Sequence, residues 1–215
     1  MAFRSPVAVE GLPFIGIFIL VSALAQWLAP APWVGIPFWV LSVWCIWFFR
    51  DPDREGPDDA NLVIAPADGR VVAIEEVVSA PLSNRPARKV SIFMNVFSVH
   101  VNRAPVAGQI IGQAYHAGRF LNAALDKASK ENERMELLFE TKEGDSIGCV
   151  QVAGLVARRI ICRVEEGARL ERGERFGLIR FGSRVDLYLP LSAQISVTLG
   201  DKTRAGESVV ARLLR

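Results

Sequence analysis

A chain of 215 residues with 25 basic and 23 acidic side chains carries a formal charge of only +2. That is too close to balance for nucleic-acid binding, which calls for a basic face or stripe. Three cysteines, at 45, 149 and 162, are an odd number without metal-ligand spacing, which argues against a disulfide framework and points to no metal site. The length suffices for one globular domain and an appendage.

The appendage comes first. No residue from Gly11 to Phe49 is charged, and all five tryptophans fall between Trp27 and Trp47. Ala29-Pro30-Ala31-Pro32 divides this stretch into Leu12–Leu28 and Trp33–Phe49. Each run would be roughly 26 Å long as helix, at the short end for a bilayer core of about 30 Å. A cleaved signal peptide needs a basic leader and one short apolar core, whereas here a second apolar run follows at once. A spanning hairpin and a wedge held in one leaflet both remain open. Either puts Arg4 and Arg50 on the same side, which points to the cytoplasm. Residues 1–49 are therefore expected to be a membrane-anchoring helical hairpin in the cell (inner) membrane, with residues 50–215 as a cytoplasmic domain.

Arg50-Asp51-Pro52-Asp53-Arg54-Glu55-Gly56-Pro57 is the natural boundary, polar and rich in proline and glycine. Beyond it, Lys89–Val96 alternates Val90, Ile92, Met94 and Val96 against polar and aromatic partners, as a strand does. Further short strands are predicted at Met135–Thr141, Ile147–Val152, Arg159–Val164, Phe176–Phe181, Val185–Leu189, Ile195–Leu199 and Ser208–Leu213. Only Phe120–Ala128 shows helical spacing. The predicted class is mainly β, a barrel-sandwich-like soluble domain behind the helical hairpin.

A faint repeat runs through this half. Gly167 to Glu174 and Gly200 to Glu207 share the spacing G-x5-G-E, each followed by an apolar run. Together with Ala65-Pro66-Ala67-Asp68-Gly69 these turns resemble those of lipoyl and biotinyl carrier domains, and suggest a pseudo-symmetric core.

Imidazole chemistry falls to His100 or His116, the two histidines of the chain. His100 follows the strand Lys89–Val96 and precedes Pro105, which should end regular pairing. Asp68 stands in an Asp-Gly turn that backbone geometry alone would favour. Ser183 follows Gly182 between two predicted strands, where a hairpin turn would explain it equally well.

The order of several short motifs changes the weight of these residues. Phe48-Phe49-Arg50-Asp51-Pro52, Pro66-Ala67-Asp68-Gly69, Phe93-Met94-Asn95-Val96-Phe97-Ser98-Val99-His100-Val101-Asn102-Arg103, Asp126-Lys127-Ala128-Ser129, Asn132-Glu133-Arg134 and Phe181-Gly182-Ser183-Arg184 occur in that sequence behind an apolar anchor. This arrangement resembles the short form of the phosphatidylserine decarboxylase family. The resemblance implies a proenzyme that cuts itself between Gly182 and Ser183 into a β chain, 1–182, and an α chain, 183–215, which stay associated. It implies that Ser183 becomes a covalent pyruvoyl (pyruvate) cofactor, which forms a Schiff base with the membrane phospholipid substrate. It also implies an Asp-His-Ser set at Asp68, His100 and Ser183, with the histidine as base and the aspartate holding its tautomer. His100 is the first candidate for the proton donor in decarboxylation, with His116 as the alternative. The long form carries a second histidine three positions before the one matched by His100; here Phe97 stands there, so that residue's role does not transfer.

Two other readings stay open. One is a decarboxylase of another serine phospholipid, such as an archaeal ether lipid. The other is a non-catalytic, membrane-anchored carrier-like adaptor, for which neither Gly-rich turn offers a convincing modifiable lysine. No nucleic-acid partner is expected, and a homo-oligomer is compatible with the sequence.

Overall fold

The computed structural model of the chain describes residues 6–28, 31–119, 131–154, 159–180 and 182–214. It divides into two compact units, Met1–Asp53 and Arg54–Arg215. The helix expected at Phe120–Ala128 and the end of the strand expected to reach Phe181 lie outside the described residues.

The first unit is a helical hairpin. A 3-10 turn at Val9–Gly11 leads into α1 (Leu12–Leu28), and a second at Pro32–Gly35 leads into α2 (Ile36–Phe48). Pro13 and Pro37 sit in the first turn of each helix, where the missing N–H removes no intrahelical bond. Across the pair the buried hydroxyls of Ser22 and Ser42 lie 2.9 Å apart. The ends are tied by Ala8 N–H donating to the Phe49 carbonyl at 2.8 Å and Asp51 N–H to that of Pro6 at 2.7 Å. These bonds carry the unit past Phe49, and it runs on to Asp53. Its outer surface is apolar: Leu20, Trp27, Trp33, Val43 and Trp47 are all exposed. The continuous helical segment Val9–Leu28 is 20 residues long with mean hydropathy 1.9, long and apolar enough to cross a membrane, whereas Trp33–Phe48 is shorter.

The second unit is built from antiparallel strands. In chain order they are β1 (Leu62–Ile64), β2 (Gly69–Val77), β3 (Ala87–Met94), β4 (Val101–Arg103), β5 (Gly108–His116), β6 (Arg134–Glu140), β7 (Ser146–Ala153), β8 (Ile160–Cys162), β9 (Arg169–Leu170), β10 (Arg175–Ile179), β11 (Ser183–Leu189), β12 (Gln194–Ile195), β13 (Lys202–Thr203) and β14 (Val209–Arg212). An eight-stranded sheet runs β13-β2-β3-β11-β7-β6-β5-β9, and two three-stranded sheets run β1-β14-β12 and β4-β10-β8. The mainly β expectation holds. Among the described residues no sheet closes into a barrel; the large sheet ends on the two-residue strands β13 and β9. Inward residues of the central strands, Val90, Ile92 and Met94 of β3 and Val185, Leu187 and Leu189 of β11, form the core. Phe139 and Phe176 meet there edge to face, with ring centroids 6.2 Å apart.

The repeat seen in the sequence is a repeat of hydrogen bonds. Gly167 N–H donates to the Ile110 carbonyl at 2.7 Å, and Gly200 N–H to that of Val71 at 2.8 Å. Gly173 N–H reaches the Ala104 carbonyl at 2.9 Å, and Gly206 N–H that of Ala65 at 2.9 Å. All four glycines have φ between +82° and +92°, the left-handed region that costs glycine nothing. Leu170 pairs with Gly108 and Thr203 with Gly69, so Ala104-Pro105-Val106-Ala107-Gly108 corresponds to Ala65-Pro66-Ala67-Asp68-Gly69. Ala107 therefore stands where the other copy carries Asp68.

Near the start of β1, Asp59 accepts the Asn61 backbone N–H at 2.9 Å and pairs with Arg212 of β14 at 2.9 Å. The Asn61 amide holds the Asp59 carboxyl below its usual range, partial desolvation opposes this, and the charges of Arg212 and Arg172 add to the lowering. A carboxyl lowered in the folded state stabilises above its unfolded pKa, and the effect is lost as pH falls through the folded value. Asp59→Asn should lower the urea midpoint at neutral pH, and the difference from the parent should vanish in strong acid. Phe139→Ala should cost about 3–5 kcal/mol in urea unfolding, since it empties a fully enclosed aromatic site.

Candidate active site

Ser183 opens β11, the strand placed between β3 and β7, and pairs with Met94 on one side and Ala153 on the other. It is fully buried, and its Oγ donates to Met94 Sδ at 3.4 Å, a weak acceptor that leaves the hydroxyl easy to redirect. Gly182 before it has φ +67°, with nothing within 4 Å of where a Cβ would lie. The backbone, not the surrounding space, therefore calls for glycine here. On the opposite face of β11 the Arg184 guanidinium grips Asp186, Nε to Oδ1 at 2.8 Å and Nη2 to Oδ2 at 3.1 Å, with both side chains buried. This two-pronged pair holds the head of the strand.

His100 lies between the turn that begins at Asn95 and the start of β4. Its carbonyl accepts the Ile179 N–H at 3.3 Å, at the end of β10, the strand that precedes β11 in the chain. The ring is fully buried, and Nδ1 lies 2.9 Å from the Ser98 carbonyl oxygen. A carbonyl only accepts, so Nδ1 carries the proton and Nε2 of the neutral ring is the basic nitrogen.

Asp68 spends both oxygens elsewhere. Oδ2 pairs with Arg54 Nη2 at 2.9 Å, and Oδ1 accepts the Ala205 N–H at 2.7 Å. The tautomer of His100 is thus set by Ser98. The Asp68 turn is nonetheless fastened to β4, because the Pro66 carbonyl accepts the Arg103 N–H at 3.0 Å and Asn102 Nδ2 at 3.5 Å. The segments carrying Asp68, His100 and Ser183 meet around β4, with the Asp68 carboxylate turned toward Arg54. The symmetry-related turn forms with Ala107, so the turn geometry does not account for a carboxylate at 68.

His116 sits elsewhere. It pairs with Arg134, which pairs with Val152, which pairs with Arg184. Directly opposed residues share a face, so its ring lies on the side of the sheet away from Ser183. There its Nε2 is 3.4 Å from Glu136 Oε2, and Arg134 Nε is 2.8 Å from Glu136 Oε1.

Three further residues line the inner face, and sequence reasoning did not single them out. Met94 Sδ receives Ser183 Oγ and, at 3.8 Å, Asn102 Nδ2. Asn102 Oδ1 accepts Gln151 Nε2 at 2.8 Å, and both amides are fully buried. The available signal was phase: in β7, Ile147, Cys149 and Ala153 point inward, and Gln151 is the polar residue in that register. Burial pushes the neighbouring Cys149 thiol far up, which keeps it protonated and inert.

The sequence profile of the phosphatidylserine decarboxylase family matches residues 41–211, a span containing all of these segments. Curated proteins named phosphatidylserine decarboxylase proenzyme are similar along nearly their whole length. The one from Magnetococcus marinus is 59% identical over 210 residues, covering 96% of this chain and 95% of the relative. Those from Aromatoleum aromaticum and Nitrosomonas europaea are 53% identical over 204 residues and 51% over 205, each covering 95% of this chain and 94% of the relative.

Removing one partner of the buried pair on β11 leaves an uncompensated charge. Arg184→Met should therefore cost about 3–5 kcal/mol in denaturant unfolding, and Arg184→Met with Asp186→Leu should recover most of that loss.

Proposed function

Because the chain belongs to the phosphatidylserine decarboxylase family, we propose that it decarboxylates phosphatidylserine to phosphatidylethanolamine with a pyruvoyl group made from its own Ser183. The observation that carries this reading is the placement of Ser183. It follows a left-handed glycine at the head of a doubly paired strand, and a buried histidine whose Nε2 is basic accepts, at its carbonyl, a backbone N–H from the end of the preceding strand.

Maturation would draw on Ser183 and His100. Ser183 Oγ attacks the Gly182 carbonyl carbon while Nε2 of His100 takes the hydroxyl proton. The Gly182–Ser183 C–N bond breaks, the nitrogen receives a proton, and the amide becomes an ester. Loss of the Ser183 α-proton then expels the Gly182 carboxylate and leaves a dehydroalanine. Its tautomer is hydrolysed by water, ammonia departs, and what remains of residue 183 would be the pyruvoyl group at the head of the α chain. The site fits that group: the residue is enclosed, its neighbour is glycine, and its polar surroundings are the uncharged Asn102 and Gln151. Converted in this way, residue 183 would supply a carbonyl able to condense with the substrate's amine and an electron sink for the loss of CO₂. The protein then has to return a proton to carbon, and His100, protonated at both ring nitrogens, is the group on the inner face suited to do so. Burial keeps competing water out of the step.

The cut leaves the pieces joined by pairing. β11 to β14 belong to the α chain, and they pair with β1, β2, β3 and β7 of the β chain. The hairpin would hold the enzyme in the cell membrane, with the domain on the cytoplasmic side that its positive flanks favour.

Intact-mass measurement of the purified protein should show residues 1–182 and an α chain lighter by one ammonia than a free serine terminus. An α chain beginning with a free serine would overturn the pyruvoyl reading. Ser183→Ala should stay uncut and folded. Asp68→Asn, which keeps an oxygen for the Ala205 N–H, should cut slowly and stay folded; normal cutting would remove Asp68 from the machinery. Carbonate should leave the full chain in the membrane fraction, and detergent should release it.

A further inference from the structure

Among the described residues the inner face holds one amide oxygen with no donor. Gln151 is fully buried, and its Oε1 has no hydrogen-bond partner. A buried acceptor left in this way carries a desolvation cost unless something bound there satisfies it.

The direction of the amide follows from its neighbours. The Pro66 carbonyl only accepts, so Asn102 presents Nδ2 to it, at 3.5 Å, and presents Oδ1 the other way. That oxygen receives Gln151 Nε2 at 2.8 Å, which turns Gln151 Oε1 outward from the pair. Gly177 on β10 helps: a Cβ there would come within 3.0 Å of Gln151 Nε2. The place is beside the reacting residue. Gln151 lies opposite Val185 and Ala153 opposite Ser183, so Gln151 and Ser183 are diagonal neighbours on one face. Such neighbours are roughly 7–8 Å apart, within reach of a long side chain. Met94 Sδ, touching Ser183 Oγ and Asn102 Nδ2, closes the ring.

We infer that Gln151 Oε1 is the acceptor for the N–H of the substrate's headgroup nitrogen, held by Asn102 so that this nitrogen meets residue 183. An amide oxygen accepts from an ammonium and from a free amine alike, so it can hold the nitrogen as it loses its proton. A carboxylate would favour the charged form and slow attack. The inference rests on the decarboxylase reading and adds the residue that recognises the amine.

The test uses the full-length processed protein in detergent and short-chain serine phospholipids that bind without reacting. An N,N-dimethylated headgroup keeps one N–H but cannot condense with a carbonyl; an N,N,N-trimethylated one has no N–H. Competition against phosphatidylserine should show the parent preferring the dimethyl ligand by about tenfold or more, the scale of a hydrogen bond from a charged donor. Gln151→Leu should lose that preference, while Gln151→Glu, which keeps an oxygen, should retain it. If the leucine variant fails to fold or cut, Gln151→Asn withdraws the oxygen by one methylene and should lose the preference instead. A preference that survives both Gln151→Leu and Gln151→Asn, or a parent that shows none, overturns the inference. A parent that remains one uncut chain overturns the decarboxylase reading instead, so the two failures are distinguishable.

Discussion

Strand β11 is hydrogen-bonded along its length to β3 on one side and β7 on the other, and the arrangement of the second unit follows from this. A strand in that position cannot slide by one residue without turning every side chain to the wrong face. Ser183, Val185, Leu187 and Leu189 must face the core, and Arg184 and Asp186 must face away from it. The residue proposed as nucleophile and cofactor precursor is therefore held by the strongest part of the sheet. Chain termini ordinarily fray. An α chain that begins at the head of a doubly paired strand, with its second and fourth residues locked in a buried ion pair, begins where fraying is most costly.

The duplicated turns show how one backbone device serves two purposes. Both copies use left-handed glycines to fold the chain back onto the sheet. In one copy Ala107 and Leu170 leave the turn apolar and plain. In the other, Asp68 caps the Ala205 amide and pairs with Arg54, and Thr203 Oγ donates to the Ala67 carbonyl at 3.0 Å. The polar copy adjoins His100 and Asn102. The scaffold tolerates the change because the hydrogen bonds that define the turn come from the backbone and are common to both.

The inner face is also unusual in what it buries. His100, Asn102, Gln151 and Ser183 are all withdrawn from water within an otherwise apolar core. Asn102 and Gln151 are bonded to each other and His100 to the Ser98 carbonyl, which lowers the cost of keeping them there. Arg184, Asp186, Glu136 and Arg134, by contrast, lie on the other face of the sheet, where Arg184 pairs with Asp186 and Arg134 with Glu136. The charges on the His100 side, Asp68 and Arg54, are paired with each other.

Composition and pattern alone determined the apolar hairpin, since a charge-free run broken by Ala29-Pro30-Ala31-Pro32 has few other solutions. They also determined the mainly β class, most of the long strands and the repeated glycine turns, each of which reflects local chemistry. β2 and β5 escaped notice because they are half exposed and interrupted by polar residues, so neither shows a clean alternation. Motif order marked Asp68, His100 and Ser183. Tertiary structure alone decided how they meet: Ser98, not Asp68, sets the tautomer of His100, and His116 falls on the far face of the sheet. Arg54, Met94, Asn102 and Gln151 entered the site for the same reason. Each is an ordinary residue in the sequence, and only strand register, a long-range property, puts its polar atom beside the others.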